Sequence, residues 1–193
     1  MVRLPPLTNA PGFLDGINDN GQIIGTSFFG SPDFVYDLSS DTVTPINYPG
    51  ATHTSLISIN DNGDILGGYN SSGPTNYFIY DAGLFTPLSF PAGCTADGIN
   101  DTGQIIGNCF NSGVSEGVVD NAGTITYINY NGNSDQNDTL ITGINDSGEI
   151  VGMYYDVPEP SALLQLATEL VGLWLCIYFA KRRKLESPSS HNR

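Results

Sequence analysis

The chain has 193 residues and a formal net charge of −14, enough for one ordinary domain and a short appendix. Residues 1–156 hold 17 acidic side chains against a single basic one, Arg3, so this region cannot neutralise phosphates and nucleic-acid binding is excluded. With 23 glycines, ten tyrosines and three cysteines, the composition suits an extracytoplasmic protein built from short apolar clusters. It fits neither a disordered chain nor a disulfide framework.

The start, MVRLPPLTNAPGF, has no apolar h-region and does not read as a signal peptide. Its RLPPLTNAPGFLDGIND matches LFTPLSFPAGCTADGIND at Leu84. The chain therefore opens inside a strand, and a leader is expected upstream in the full gene. GINDNGQIIG at Gly16 then returns as SINDNGDILG at Ser58, GINDTGQIIG at Gly98 and GINDSGEIVG at Gly143. The anchoring residues Ile17, Ile59, Ile99 and Ile144 are 42, 40 and 45 residues apart. Asn-Asp-x-Gly between apolar residues predicts a type I turn closed by a glycine in the left-handed region. Turn formation alone accounts for the repeated Asp19, Asp61, Asp101 and Asp146. Apolar pairs such as Ile23-Ile24 and Ile105-Ile106 predict a strand covered on both faces. Gly25, Gly67, Gly107 and Gly152 close these pairs, as expected where a neighbouring sheet comes near.

A third strand follows in each repeat at Phe34, Tyr77 and Gly117, and a fourth at Val43, Phe85 and Ile125. Pro45 and Pro87 remove ladder donors and mark the fourth strand as an edge. Four short strands per repeat predict an all-β, propeller-like ring of about four blades over residues 1–156. The first strand and the last hairpin are expected to share the closing blade, and the Asn-Asp-x-Gly turns to line one rim. The same periodicity leaves a stacked β-solenoid as the alternative. The Ile-Asn-Asp-x-Gly-x-Ile-x-Gly units resemble bacterial extracellular HAF-type repeats, which implies a propeller-like domain and no particular activity.

Partner numbers about the Asn100–Gly103 turn sum to about 203, as do those of Cys94 and Cys109, which makes them a candidate disulfide in an exported protein. The alternative is two free thiols, with strand pairing ended at Pro91-Ala92-Gly93. His53, the sole histidine of the body, reads as a loop residue and not as a base. Asp135 and Asp138 in NSDQND lack the spacing of a calcium loop and read as a solvated turn. No histidine pair, Cys-x-x-Cys or nucleophile elbow occurs, and neither a metal nor a cofactor is expected. Asn-x-Ser/Thr sites such as Asn70 and Asn137 carry little weight if the source is bacterial, as the tail described next implies.

Residues 157–193 differ in kind. The 20 residues Ser161 to Ala180 are long enough to cross a bilayer at about 1.5 Å per residue. Glu169 opposes insertion by about 2.5–3.5 kcal/mol, and the surrounding leucines outweigh it. Lys181, Arg182, Arg183 and Lys184 follow at once and form a cytoplasmic stop, which orients the body outward. A buried amphipathic helix is the alternative. Proline hinge, apolar helix and basic cluster together resemble the PEP-CTERM sorting domain. That resemblance makes Pro158, Glu159 and Pro160 the sorting motif, an exosortase-type enzyme the processing partner and the tail a transient anchor. Glu169 and the extension Leu185 to Arg193 depart from the family pattern.

Two classes of function follow. The first is a non-enzymatic exported surface or matrix protein, single-pass at the membrane or released to the cell surface, binding extracellular polysaccharide or protein through loops. The alternative is a propeller-type glycan-active hydrolase or lyase, which needs carboxylates converging in one pocket with raised pKa.

Overall fold

The computed structural model describes residues 12–27, 32–111, 113–130 and 137–156. The first sheet joins β1 (Gly12–Ile17), β2 (Gln22–Ser27), β3 (Asp33–Asp37) and β4 (Thr42–Ile46). The second joins β5 (His53–Ile59), β6 (Ile65–Asn70), β7 (Asn76–Asp81) and β8 (Leu84–Leu88). The third joins β9 (Cys94–Ile99), β10 (Ile105–Asn111), β11 (Val114–Asn121) and β12 (Thr124–Ile128), and the fourth pairs β13 (Asn137–Ile144) with β14 (Ile150–Asp156). Strands follow one another in chain order within each sheet, and no sheet mixes strands of two repeats among the described residues. A solenoid would hydrogen-bond equivalent strands of successive repeats, so that alternative is overturned. Each repeat is its own blade, and the fold is all-β and propeller-like. We call the four sheets blades 1 to 4.

Each repeat turn closes as its sequence predicts. The Asn18 amide donates to Gln22 O at 3.1 Å and the Gly21 amide to Asn18 O at 3.0 Å, and the pattern recurs at Asn60, Asn100 and Asn145. The fourth turn residue has φ between +77° and +88° at Gly21, Gly63, Gly103 and Gly148, a conformation in which glycine carries no Cβ penalty. Beside the turn Ile99 pairs with Ile105, but farther out Ala96 pairs with Gly107, leaving Asp97 as a one-residue bulge. Asp15 and Ile57 are bulged in the same way. The bulge brings Leu56 and Ile59, three residues apart, into one core with Ile24 of the preceding blade. Ala96 and Ile99 likewise meet Leu66, and Ile141 meets Ile106. The interblade core is thus a repeated contact between the second strand of one blade and the first strand of the next, which is bulged in β5 and β9.

Pro45 and Pro87 lie in β4 and β8, at the sheet edges, opposite Phe34 and Phe78. The glycines that end the apolar pairs require a correction. They admit groups of their own sheet and not of a neighbouring one. A Cβ at Gly67 would overlap the Phe78 ring directly across the β6–β7 ladder, and one at Gly25 would lie 2.6 Å from the Phe34 ring. Ile23-Ile24, Ile65-Leu66 and Ile105-Ile106 are all buried, whereas the equivalent Ile150 and Val151 of blade 4 are exposed. The proposed strand within residues 1–11, its sharing of the closing blade and the helix over 161–180 lie outside the described residues. No helix among the described residues is long and apolar enough to cross a membrane.

Candidate functional site

The rim formed by the four turns is wired in one direction. The Asn18 side-chain amide donates to Asn60 O at 3.0 Å, Asn60 to Asn100 O at 3.1 Å, and Asn100 to Asn145 O at 2.9 Å. In parallel the Asp19 backbone amide donates to Asp61 Oδ1 at 2.7 Å, Asp61 to Asp101 Oδ1 at 2.7 Å, and Asp101 to Asp146 Oδ1 at 2.9 Å. Asn18, Asn60 and Asn100 are buried by this stacking, and Asn145, against which no further turn stacks among the described residues, is exposed. The repeated aspartates therefore join blades as well as shaping turns. Three of these carboxylates are spent on backbone amides, an arrangement that builds a frame and not a reactive centre.

A second set of contacts satisfies the bulged strands. Buried Asp33 accepts from the Ser27 amide at 3.1 Å and, across the blade 1–blade 2 joint, from the Leu56 amide at 3.1 Å. Burial raises its carboxyl above the usual aspartate range, against the lowering effect of those two amides, and the nearby Asp15 charge adds to the rise. At the next joint Tyr77 fills the same place, its hydroxyl 3.5 Å from Cys94 O, and burial raises its phenol. At the third joint Asn108 accepts from the Ile141 amide at 2.8 Å and donates to Ile141 O at 2.9 Å.

The arrangement best suited to a ligand lies where blades 3 and 4 meet. A cleft of about 350 Å³ is lined by Asn129, Tyr130 and Thr139 together with Ile141, Gly152 and Tyr154. Tyr130 and Tyr154 stack with ring centroids 3.8 Å apart and planes within 13°, and both are roughly half exposed. The Asn129 amide donates to Glu116 Oε1 at 2.7 Å, while its own Oδ1 is buried with no hydrogen-bond partner. An unmet buried acceptor costs roughly 1–3 kcal/mol unless water or a ligand donor reaches it. The volume lies within the usual range for small-ligand sites, and apolar walls with a few polar groups are their usual character.

Cys94 and Cys109 face one another in the β9–β10 register, and their sulfurs are bonded. His53 is an exposed residue at the start of β5, opposite Asn70. Pro158, Glu159, Pro160, Lys181, Arg182, Arg183, Lys184 and Asp135 lie outside the described residues, as does the Asp138 side chain. Sequence reasoning missed Asn129, Tyr130 and Tyr154 as a group. NYN at Asn129 was legible only as the end of a fourth strand, and nothing in it points to a tyrosine 24 residues later in β14.

No protein-family profile matches the chain, and no curated protein sequence matches it. Among solved structures, TolB from Acinetobacter baumannii is similar over 77% of this chain and 41% of that one, with 15% identity and a TM-score of 0.52. A streptogramin B lyase is similar over 82% of this chain and 58% of its own, with 18% identity and a TM-score of 0.44. A catalytically inactive virginiamycin B lyase from Staphylococcus aureus, solved with quinupristin, matches over 80% and 59%, with 16% identity and a TM-score of 0.43. The chain spans less than two thirds of each of these structures. At such identities the likeness speaks to fold alone, and the propeller-like architecture of TolB agrees with the blade topology described above.

Proposed function

We propose that this protein is a non-enzymatic, exported surface or extracellular-matrix protein that binds polysaccharide at the blade 3–blade 4 cleft. Residues 157–193 hold it at the membrane through a PEP-CTERM-like tail until an exosortase-type enzyme acts at Pro158-Glu159-Pro160. The observation that carries the binding reading is the unmet Asn129 acceptor beside the stacked Tyr130–Tyr154 pair. Sugars offer hydroxyl donors and C–H faces, which match an amide acceptor and a tyrosine ring. A catalytic reading needs free carboxyls at the site. Among the described residues the carboxyl with a raised pKa, Asp33, is committed to two backbone amides at a different joint.

The test is an oligosaccharide array probed with the intact chain, followed by titration of the best binder against Asn129→Ala and Tyr130→Ala. Each substitution is expected to weaken binding about tenfold, the equivalent of one lost hydrogen bond or stacking contact. Absence of any oligosaccharide binder, or a binder indifferent to both substitutions, overturns the reading. The anchor is tested separately by adding a signal peptide and comparing the intact chain with one truncated after Asp156. Retention in the membrane fraction is expected only for the intact form, and to a greater degree for Glu169→Leu. Identical soluble fractionation of both, in cells without the sorting enzyme, removes the anchor.

A further inference from the structure

The joints between blades 1 and 2 and between blades 3 and 4 share an arrangement that the middle joint lacks. Tyr48 stacks on Tyr69 with ring centroids 3.7 Å apart and planes within 9°, and Tyr130 stacks on Tyr154 in the same way. Tyr69 and Tyr154 each stand two residues after a glycine of the second strand, Gly67 and Gly152. Tyr69 pairs with Thr54, whose hydroxyl accepts from the Tyr48 amide at 2.9 Å. Thr139 likewise accepts from the Tyr130 amide at 3.1 Å.

In blade 3 two of the expected rings are replaced by small side chains. Cys109 stands two residues after Gly107, in the tyrosine's place, and its register partner Cys94 stands in the threonine's. Across the next ladder Val118 faces Gly107, where Phe34 faces Gly25 and Phe78 faces Gly67. Phe90, the counterpart of Tyr48 three residues after the edge-strand proline, fills part of the loss. It packs on Cys94, Cys109 and Val118, and its ring lies 3.0 Å from where a Gly107 Cβ would be, as the Phe78 ring lies over Gly67. A cavity of about 500 Å³ remains beside it. Tyr77, Leu88, Phe90 and Pro91 line this cavity, Asn76 and Thr95 are exposed at it, and no charged side chain borders it.

We propose that this cavity binds a small, uncharged, planar aromatic molecule, one ring of which stacks on Phe90 as Tyr69 stacks on Tyr48. The chain itself shows what the place takes, because at the other two joints a tyrosine ring lies against the residue equivalent to Phe90. The volume and the apolar walls are those of a small-ligand site. Tyr77 already meets Phe90 edge to face, with centroids 5.5 Å apart and planes at 69°, which leaves the geometry of an aromatic cluster one ring short. With no charged side chain to pair with, an ionised ligand would lose its hydration uncompensated. Asn76 and Thr95 suit a single hydroxyl on the ligand. The site lies one joint away from the Asn129–Tyr130 cleft and does not rest on the polysaccharide reading.

The test is a titration of the intact, detergent-solubilised chain with naphthol, read from the backbone amide shifts of Cys94 and Thr95 at free ligand concentrations set by dialysis. Decalol, the saturated counterpart of similar size, is the control. Saturable shifts are expected for naphthol, with decalol binding about fivefold more weakly because it cannot stack. Phe90→Leu keeps an apolar wall but removes the ring, and is expected to bring naphthol down to the level of decalol. Cys94→Thr combined with Cys109→Tyr installs the threonine–tyrosine pair of blade 2, and is expected to abolish binding by supplying the ring from within. If that double variant does not fold, Phe90→Leu decides. Absence of saturable shifts overturns the proposal. Equal binding of the two alcohols also overturns it, by making the cavity an indifferent apolar space. So does undiminished naphthol binding by a folded form of either variant.

Discussion

Four equivalent asparagines with unequal surroundings allow the rim to be tested directly. Asn60 is 4% exposed; its Oδ1 accepts from the Asp64 amide at 2.8 Å, and its side-chain amide donates to Asp64 Oδ2 at 3.0 Å and to Asn100 O at 3.1 Å. Asn145 makes the two local bonds, to the Glu149 amide and carboxylate at 2.8 and 2.7 Å, but it is exposed and makes no interblade bond. At about 1 kcal/mol net for each bond, Asn60→Ala should cost about 2–3 kcal/mol, with Asn100 O retaining only its turn bond from Gly103. Water replaces most of what Asn145→Ala removes, so that variant should cost about 0.5–1 kcal/mol. The assay is urea unfolding of the intact chain followed by far-ultraviolet circular dichroism. Tryptophan fluorescence is unsuitable because Trp174, the single tryptophan, lies outside the repeats. A difference of about 2 kcal/mol corresponds to roughly 4–8 °C in Tm for a domain of this size. Equal losses for the two variants would refute the reasoning, because the interblade bond is what distinguishes them.

Reducing the Cys94–Cys109 bond, which links residues 15 apart in sequence, should lower stability by about 3 kcal/mol on loop-closure grounds; urea midpoints that match with and without reductant would contradict this. Gly67→Ala should cost about 1–3 kcal/mol because the new methyl overlaps Phe78, whereas Gly73→Ala, with open space around it, should stay within about 0.5 kcal/mol, both read from thermal melts. Asp33 has a raised pKa when folded and its ordinary value, 3.8, when unfolded. The folded state therefore holds this proton more tightly, and its contribution to stability falls as pH climbs from 3.8 to the raised value, then levels. Asp33→Asn should be destabilising overall, because one of the two amides loses its acceptor, but the deficit relative to wild type should shrink as pH rises through that window. A deficit constant in pH would show that Asp33 does not titrate there.

The blades were legible because their signal repeats. Asn-Asp-x-Gly states its turn chemistry locally, and apolar pairs such as Ile65-Leu66 mark the covered strand without reference to anything distant. The bulges were not legible. Period-two reading puts Leu56 and Ile59 on opposite faces, and only the extra residue, Ile57, brings both to the joint. The arithmetic that paired Cys94 with Cys109 ignores both irregularities of that hairpin. It reaches the pairing because the shift at the turn and the shift at Asp97 cancel. The candidate cleft was hidden for a different reason. Asn129 and Tyr130 follow directly after β12 and Tyr154 lies in β14, and no local pattern records a meeting between segments of successive blades. The rim ladder sits between these cases: the repeated Asn and Asp were evident, but their turn role was sufficient explanation until neighbouring turns were seen stacked.

The uniform joint also bears on how such a gene changes length. The turns at Asn18, Asn60 and Asn100 each hand the same two hydrogen bonds forward to an equivalent turn, so the junction created by excising one whole repeat is chemically the junction that was there before. Recombination between the near-identical segments at Gly16, Ser58, Gly98 and Gly143 would delete or duplicate a blade without creating an unmatched surface inside the array. Slippage by part of a repeat would instead set a bulged strand against the wrong neighbour and leave buried amides without acceptors. Blade number is therefore free to drift by whole units, while the reading phase within each unit is held fixed by the packing.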